Sequence, residues 1–135
     1  MHLLEPRGRV SETRGMVNQG PCGGTEKGNV HMIATAGSRN YLQWKTLKSH
    51  KSSNCTVRIS TGSELSQDFK TLRPRDNTAD HNGFFPCGRT PGFDGKEFKL
   101  PNDMTCAHCI VSFTQQLSDD EEIHQCADIS ITENI

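Results

Sequence analysis

Six histidines and six cysteines are the residues of this chain whose chemistry points to a metal or redox function. His2 and His50 are the most informative, because a chain that begins at His2 also has a free α-amine with a pKa of about 8. That amine, the ring of the first residue and a second imidazole make a T-shaped set of three nitrogen ligands, which suits copper. The sequence therefore predicts a copper site at His2 and His50. Ordinary surface or hydrogen-bonded roles are expected for three others: His31, His81 and His108.

Cys106 and Cys109 are separated by two residues, a spacing that fits three kinds of site. It occurs in zinc sites, in thioredoxin-like redox pairs, and where two nearby cysteines belong to different disulfides. A thioredoxin needs alternating strands and helices, and zinc needs a second close ligand pair, for which only His124 and Cys126 are available. The sequence therefore favours disulfides, whose connectivity it does not reveal.

The cysteine count also predicts a compartment. An even number of cysteines in a chain with 32% hydrophobic and 6% aromatic residues indicates a small core reinforced by cross-links, and hence an oxidising environment. The opening MHLLEPRGRV lacks the apolar segment of a signal peptide. We therefore expect a mature secreted or cell-surface protein that begins at His2, with Met1 as one added residue. Asn54-Cys55-Thr56 is an N-glycosylation sequon, which is consistent with secretion.

Length and charge limit the domain count and the partners. A chain of 135 residues fits one domain, so residues 1–135 are predicted to form a single domain. The 15 Lys and Arg nearly balance 16 Asp and Glu, and no long basic run is present, so nucleic acid is not an expected partner. No window approaches the ~18 consecutive apolar residues of a membrane span. We expect a monomer with no membrane span.

The elements that must position these side chains are short runs of β-branched and aromatic residues. Several runs alternate. Leu42 and Trp44 lie on one face of the run 41–47, and Ala127, Ile129 and Ile131 lie on one face of the run 127–131. The intervening segments are rich in Gly, Pro, Asn and Asp, as turns are. The predicted strands are 30–34, 41–47, 56–60, 97–100, 109–113 and 127–131, with one helical turn within 63–72. Many short strands at this spacing predict an all-β fold, an antiparallel β-sandwich.

Five features follow one another along the chain. They are His2, PCGG at 21–24, a hydrophobic strand with Trp44 leading to His50, FKLPNDMTCAHCIVSF at 98–113, and QCADISI at 125–131. In this order they resemble the lytic polysaccharide monooxygenase (LPMO) superfamily, and in particular its small monooxygenase-like copper proteins and its animal and chitin-active members. The resemblance implies an immunoglobulin-like or fibronectin-III-like sandwich, stabilised by disulfides, with a surface copper held by a histidine brace.

The resemblance also implies roles for individual residues. His2 would bind copper through its amine and its ring, His50 through its ring, and Cys22 would pair with Cys126. The oxidative enzymes commonly place a Tyr or Phe at the axial position of the metal, where Ile123 is nearest in register here. The copper-trafficking relatives instead place a carboxylate beside the metal, and the same stretch offers four acids: Asp119, Asp120, Glu121 and Glu122.

Three functions remain open. A copper-binding protein for copper acquisition or storage is favoured by the small size, the missing axial aromatic and the acidic stretch. A copper-dependent polysaccharide monooxygenase, oxidising chitin, cellulose or a related glycan, is favoured by the motif similarity. Against it, the only Tyr and the only Trp lie in the run 41–47, where packing in or near the core is their ordinary role. The third function is an interaction domain without a metal.

Overall fold

The computed structural model describes residues 2–6, 8, 9, 20–23, 25, 27–118 and 121–134. Nine strands lie in these residues: β1 (His2–Glu5), β2 (Met32–Thr35), β3 (Arg39–Thr46), β4 (Asn54–Ser60), β5 (Lys70–Leu72), β6 (Phe85–Pro86), β7 (Gly92–Lys99), β8 (Cys106–Ser118) and β9 (Glu121–Thr132). A 3-10 turn at Ser66–Asp68 falls where one helical turn was predicted. In this part of the chain we find no helix long and apolar enough to cross a membrane.

The strands form two sheets that pack face to face. β1, β3 and β7 make a three-stranded sheet in the order β1-β3-β7. The larger sheet has the order β2-β9-β8-β4-β5, and β6 pairs with the start of β4. The predicted all-β sandwich is confirmed. One detail differs from a purely antiparallel arrangement, since β2 runs parallel to β9 at the edge of the larger sheet.

The core lies between the two sheets and follows the predicted alternation. Leu42 and Trp44 are buried, as are the three residues predicted to share a face of the last strand: Ala127, Ile129 and Ile131. The Trp44 ring packs against Phe85 and Phe113, with ring centroids 6.0 and 5.1 Å apart. Period two along each strand therefore identified the side chains that bury apolar surface between the sheets.

β8 and β9 extend well beyond the runs that predicted them. They form one long antiparallel hairpin, in which Cys109 pairs with Ile129 and Gln116 with Glu122. The extensions are polar, yet several of their side chains are buried: Thr114, Gln115 and His124. Backbone pairing between strands does not require apolar side chains, so the hydrophobic pattern ended the predicted strands too early. β1, β5 and β6 are too short for an alternating pattern, and they were missed.

Three disulfides reinforce the sandwich: Cys22–Cys126, Cys55–Cys87 and Cys106–Cys109. The pair Cys22–Cys126, which the resemblance implied, is confirmed. Cys106 and Cys109 are bonded to each other, so the interpretation that placed them in different disulfides was wrong. In a regular strand residues i and i+3 point to opposite faces, but the pairing of β8 with β9 shifts register between these two cysteines and allows them to meet.

The outer face of the larger sheet holds a buried ion pair between Arg9 and Asp128. The Arg9 guanidinium donates to both carboxylate oxygens of Asp128, at 2.9 and 2.8 Å. The same carboxylate lies 2.8 Å from Nε2 of His108 and accepts from the Gly28 N–H at 3.2 Å. Burial by itself raises the pKa of Asp128, but the hydrogen bonds from Arg9 and His108 outweigh it and hold that pKa below its ordinary value.

Candidate metal centre

The sheet topology brings the two predicted copper ligands to one end of the sandwich. β1 is antiparallel to β3, and His2 lies opposite Lys45. His2 therefore lies beside the last residues of β3. β3 ends at Thr46, and the loop that leaves it carries His50. The backbone of His2 and the loop of His50 thus lie at the same end of the molecule.

The N-terminal strand is attached to the opposite sheet directly after His2. The Leu3 N–H donates to Oε1 of Gln125 in β9 at 3.0 Å, and the Leu3 side chain is buried. Gln125 shares the inner face of β9 with Ala127, because the two are two positions apart in a regular strand. Sequence reasoning missed Gln125 as a positioning residue. It lies within the QCADISI motif, but its role depends on β1, which no sequence pattern revealed.

The loop of His50 is held by hydrogen bonds to the segment before β7. The His50 N–H donates to the Gly88 carbonyl at 3.0 Å, and the His50 carbonyl accepts from the Ser53 N–H at 3.1 Å. Ser53 is fully buried, its hydroxyl accepts from Gln115 Nε2 at 2.8 Å, and its carbonyl accepts from Arg89 Nε at 3.0 Å. These contacts fix the backbone of His50 independently of any metal, as a preorganised ligand requires.

The candidates for a further ligand divide between the two faces of β9. Ile123 lies on the inner face with Gln125, on the side of the N-terminal strand. Glu122 lies on the outer face, where its Oε2 is 3.1 Å from Nε2 of His124, so it points away from that strand. Glu121 is exposed at the start of β9. The other two acids lie outside the described residues: Asp119 and Asp120.

The chemistry of the donors fits copper better than zinc. Three cysteines of the zinc interpretation are bonded in disulfides, so that interpretation is wrong for this form of the chain: Cys106, Cys109 and Cys126. Its fourth ligand, His124, is hydrogen-bonded to Thr114 and Glu122. The side chains described here contain no group of three His, Cys, Asp or Glu placed to hold a metal. The donors predicted at His2 and His50 would instead be amine and imidazole nitrogens, which copper prefers.

Of the two aromatic side chains of β3, one is buried as predicted and the other is exposed. Trp44 is fully buried, as expected. Tyr41 is 54% exposed, so the expected core role is wrong for it; it lies on the face of β3 opposite to Leu42. Phe93 of β7 is 66% exposed on the same outer face, with the Lys45 ammonium 5.2 Å from its ring centroid. Two exposed rings therefore lie on the outer face of the three-stranded sheet.

Comparison with known sequences yields one family. A sequence model described as "Copper acquisition factor BIM1-like" matches residues 1–135, which is the whole chain. No protein of curated function matches the sequence significantly.

Comparison with solved structures yields polysaccharide monooxygenases. An AA15 lytic polysaccharide monooxygenase from Thermobia domestica superposes with a TM-score of 0.66 at 18% identity, covering 83% of this chain and 75% of that one. A polysaccharide monooxygenase of type CBM33 gives a TM-score of 0.62 at 11% identity, covering 97% and 99%. An AA10 enzyme from Photorhabdus luminescens gives 0.53 at 17% identity, covering 76% and 59%. At these identities the likeness establishes the fold alone, which is LPMO-like.

Proposed function

Because the chain belongs to the family of BIM1-like copper acquisition factors, we propose that it binds one copper ion through a histidine brace and serves copper acquisition or storage outside the cell. The brace consists of the α-amine and ring of His2 and the ring of His50. One observation carries the proposal: the pairing of β1 with β3 sets His2 opposite Lys45, beside the strand end that leads to His50. Three disulfides support an extracellular location.

Copper is the cargo of this site, and the residues of the chain determine how it is held. The amine and both imidazoles must be unprotonated to bind, so copper affinity falls as the pH falls. Gln125 holds the first strand through Leu3, and Ser53 holds the loop of His50, so both ligands start from fixed backbone. The brace therefore loses less conformational entropy on binding than two flexible histidines would.

The proposal requires that Met1 be absent from the functional form. With Met1 retained, the His2 nitrogen is a peptide nitrogen, which binds copper only after it loses its proton. The chain that begins at His2 should therefore bind Cu(II) more tightly than the chain that begins at Met1. Equal affinities and equal spectra for the two forms would place copper elsewhere.

The test is a Cu(II) titration of the chain that begins at His2, followed by electron paramagnetic resonance. One equivalent of copper with a type-2 spectrum is expected. His50→Ala should lower the affinity by more than the roughly 10- to 100-fold that loss of an outer-shell partner costs. His81→Ala, which removes an exposed histidine, is the matched control and should bind like the wild type. An unchanged Cu(II) affinity of the His50→Ala variant would contradict the proposal.

A second assay separates carriage of copper from catalysis. The copper-loaded protein is incubated with chitin or cellulose, a reductant and H₂O₂, and the products are examined for oxidised oligosaccharides. A protein for acquisition or storage yields none. Their appearance in the wild type, together with their loss in His50→Ala, would assign the chain to the polysaccharide monooxygenases instead.

A further inference from the structure

We propose that Asn54 carries an N-linked glycan on the outer face of the larger sheet. Asn54-Cys55-Thr56 is the only Asn-x-Ser/Thr triplet in the sequence. The three disulfides are typical of proteins of the oxidising secretory pathway, where such triplets are modified. The inference depends on secretion and not on copper binding.

The alternation along β4 directs Asn54 away from the core. Asn54 is the first residue of this strand. Cys55, Val57 and Ile59 are fully buried between the sheets, so residues of even number in this strand belong to the outer face. Asn54 is half-buried there and lies opposite Gln116, near the end of the β8–β9 hairpin. A substituent on its side chain therefore extends from the surface without displacing the core.

The hydrogen bonds of Asn54 leave its amide nitrogen available. Its Oδ1 accepts from Arg89 Nη2 at 2.9 Å, whereas its Nδ2 donates to no described residue. Asn40 provides a contrast, because its Nδ2 donates to the Ser38 hydroxyl at 3.0 Å. Glycosylation replaces one hydrogen on Nδ2 and leaves Oδ1 unchanged. The bond from Arg89 therefore survives the modification.

The surface beside Asn54 suits a sugar. A cleft of about 230 Å³ opens on the same face of the sheet. Its lining includes hydroxyl, guanidinium, imidazole and carboxylate groups and one aromatic ring: Thr56, Arg58, Phe84, Thr114, Glu122 and His124. Thr56 follows Asn54 on the same face, about 7 Å along the strand. The stem of a glycan would thus lie next to polar groups and one aromatic ring.

The modification is a group transfer that uses a lipid-pyrophosphate-linked oligosaccharide as donor. A bond forms between Nδ2 of Asn54 and the anomeric carbon of the first sugar. The bond from that carbon to the pyrophosphate oxygen breaks, and the lipid pyrophosphate leaves with the electron pair. The amide nitrogen releases one proton, and no oxidation or reduction takes place. The Thr56 hydroxyl is needed because the transferase of the secretory pathway recognises it in the chain before folding.

The test is the mass of the protein secreted by a eukaryotic host. The wild type and Thr56→Ser, which keeps the triplet, should carry one oligosaccharide that peptide-N-glycosidase removes, leaving Asp at position 54. Asn54→Gln and Thr56→Ala, which break the triplet in two different ways, should be secreted without it.

A wild-type protein secreted at the mass of the bare chain would overturn the proposal, and this result does not depend on whether any variant folds. Retention of the glycan in both Asn54→Gln and Thr56→Ala would overturn it as well. Copper affinity measured on the same samples reports on the brace separately, so failure of one proposal is distinguishable from failure of the other.

Discussion

Asp128 is the residue that holds the Arg9 guanidinium on the outer face of the larger sheet. Its side chain is 1% exposed and that of Arg9 is 2% exposed. Removing two charges from water costs several kcal/mol, which is offset here by the bidentate pair and by the contacts with His108 and Gly28. Arg9 also donates to the exposed carboxylate of Glu64 at 3.1 Å. The buried pair therefore joins segments from both ends of the chain.

Loss of the Asp128 charge should destabilise the fold strongly. Asp128→Asn leaves the buried Arg9 guanidinium with only the solvent-exposed carboxylate of Glu64 as a counter-charge, and a decrease of about 3 to 5 kcal/mol in the free energy of unfolding is expected. The control Glu97→Gln breaks the solvent-exposed pair with Arg75 and should cost less than about 1 kcal/mol. Urea denaturation of both variants measures the difference, and equal losses would contradict the role assigned to Asp128.

The buried histidine of β9 should make stability depend on pH. Burial, first of all, lowers the pKa of His124; Arg58 acts in the same direction and Glu122 opposes them. Below its ordinary pKa of about 6.5 the unfolded chain takes up a proton that the folded chain resists, so stability falls as the pH drops from 7 to 5. His124→Gln should flatten this dependence, whereas His81→Gln, at an exposed position, should not. Urea unfolding at pH 7 and at pH 5 measures this loss of stability. An equal loss in the wild type and in His124→Gln would refute the assignment.

At the scale of elements, the disulfides differ in how much chain they constrain. Cys22–Cys126 joins residues separated by 104 positions and holds the segment 20–23 against β9. Cys106–Cys109 spans a separation of three within one strand. In the chain-entropy description, a cross-link stabilises the fold by restricting the unfolded chain, and it does so more strongly for longer loops. Cys22–Cys126 is therefore expected to stabilise the fold more than Cys106–Cys109 does.

Removing the disulfides one at a time should reproduce this order. Cys22→Ala with Cys126→Ala should lower the free energy of unfolding by about 5 kcal/mol, and Cys106→Ala with Cys109→Ala by about 2 kcal/mol, by loop entropy. Denaturant unfolding under non-reducing conditions makes the comparison. A larger loss for the short loop would mean that packing around Cys109, and not chain entropy, dominates.

At the scale of the whole molecule, the proposed copper site couples metal binding to the fold. Its ligands come from the first strand and from the loop between β3 and β4, which are neighbours only because β1 pairs with β3. The unfolded chain has the same nitrogens but not their arrangement. Copper should therefore bind the folded chain more tightly and stabilise it by mass action.

Copper should raise the resistance of the chain that begins at His2 to denaturation. At free Cu(II) of about 100 times Kd, the free energy of unfolding should increase by about 2.7 kcal/mol, and a chelator should reverse the change. His50→Ala and the form that retains Met1 should gain much less. An equal gain in all three forms, measured by urea unfolding with and without copper, would mean that the metal acts at another site.

The sequence by itself determined the strands with clear alternation, the core residues they contribute, and the donors proposed for copper. This was possible because period-two patterns and ligand types are properties of neighbouring residues. Asp128 and Gln125 could not be understood in this way, since their partners Arg9 and Leu3 are more than one hundred positions distant.

Only the tertiary structure decided the parallel pair of β2 and β9, the bond within the C-x-x-C motif and the common position of His2 and His50 at one end of the sandwich. Short strands such as β1 carry too few residues for a pattern, and they are stabilised by pairing with distant strands. The physical reason is that each of these features depends on contacts between segments far apart in the chain, which local periodicity does not encode.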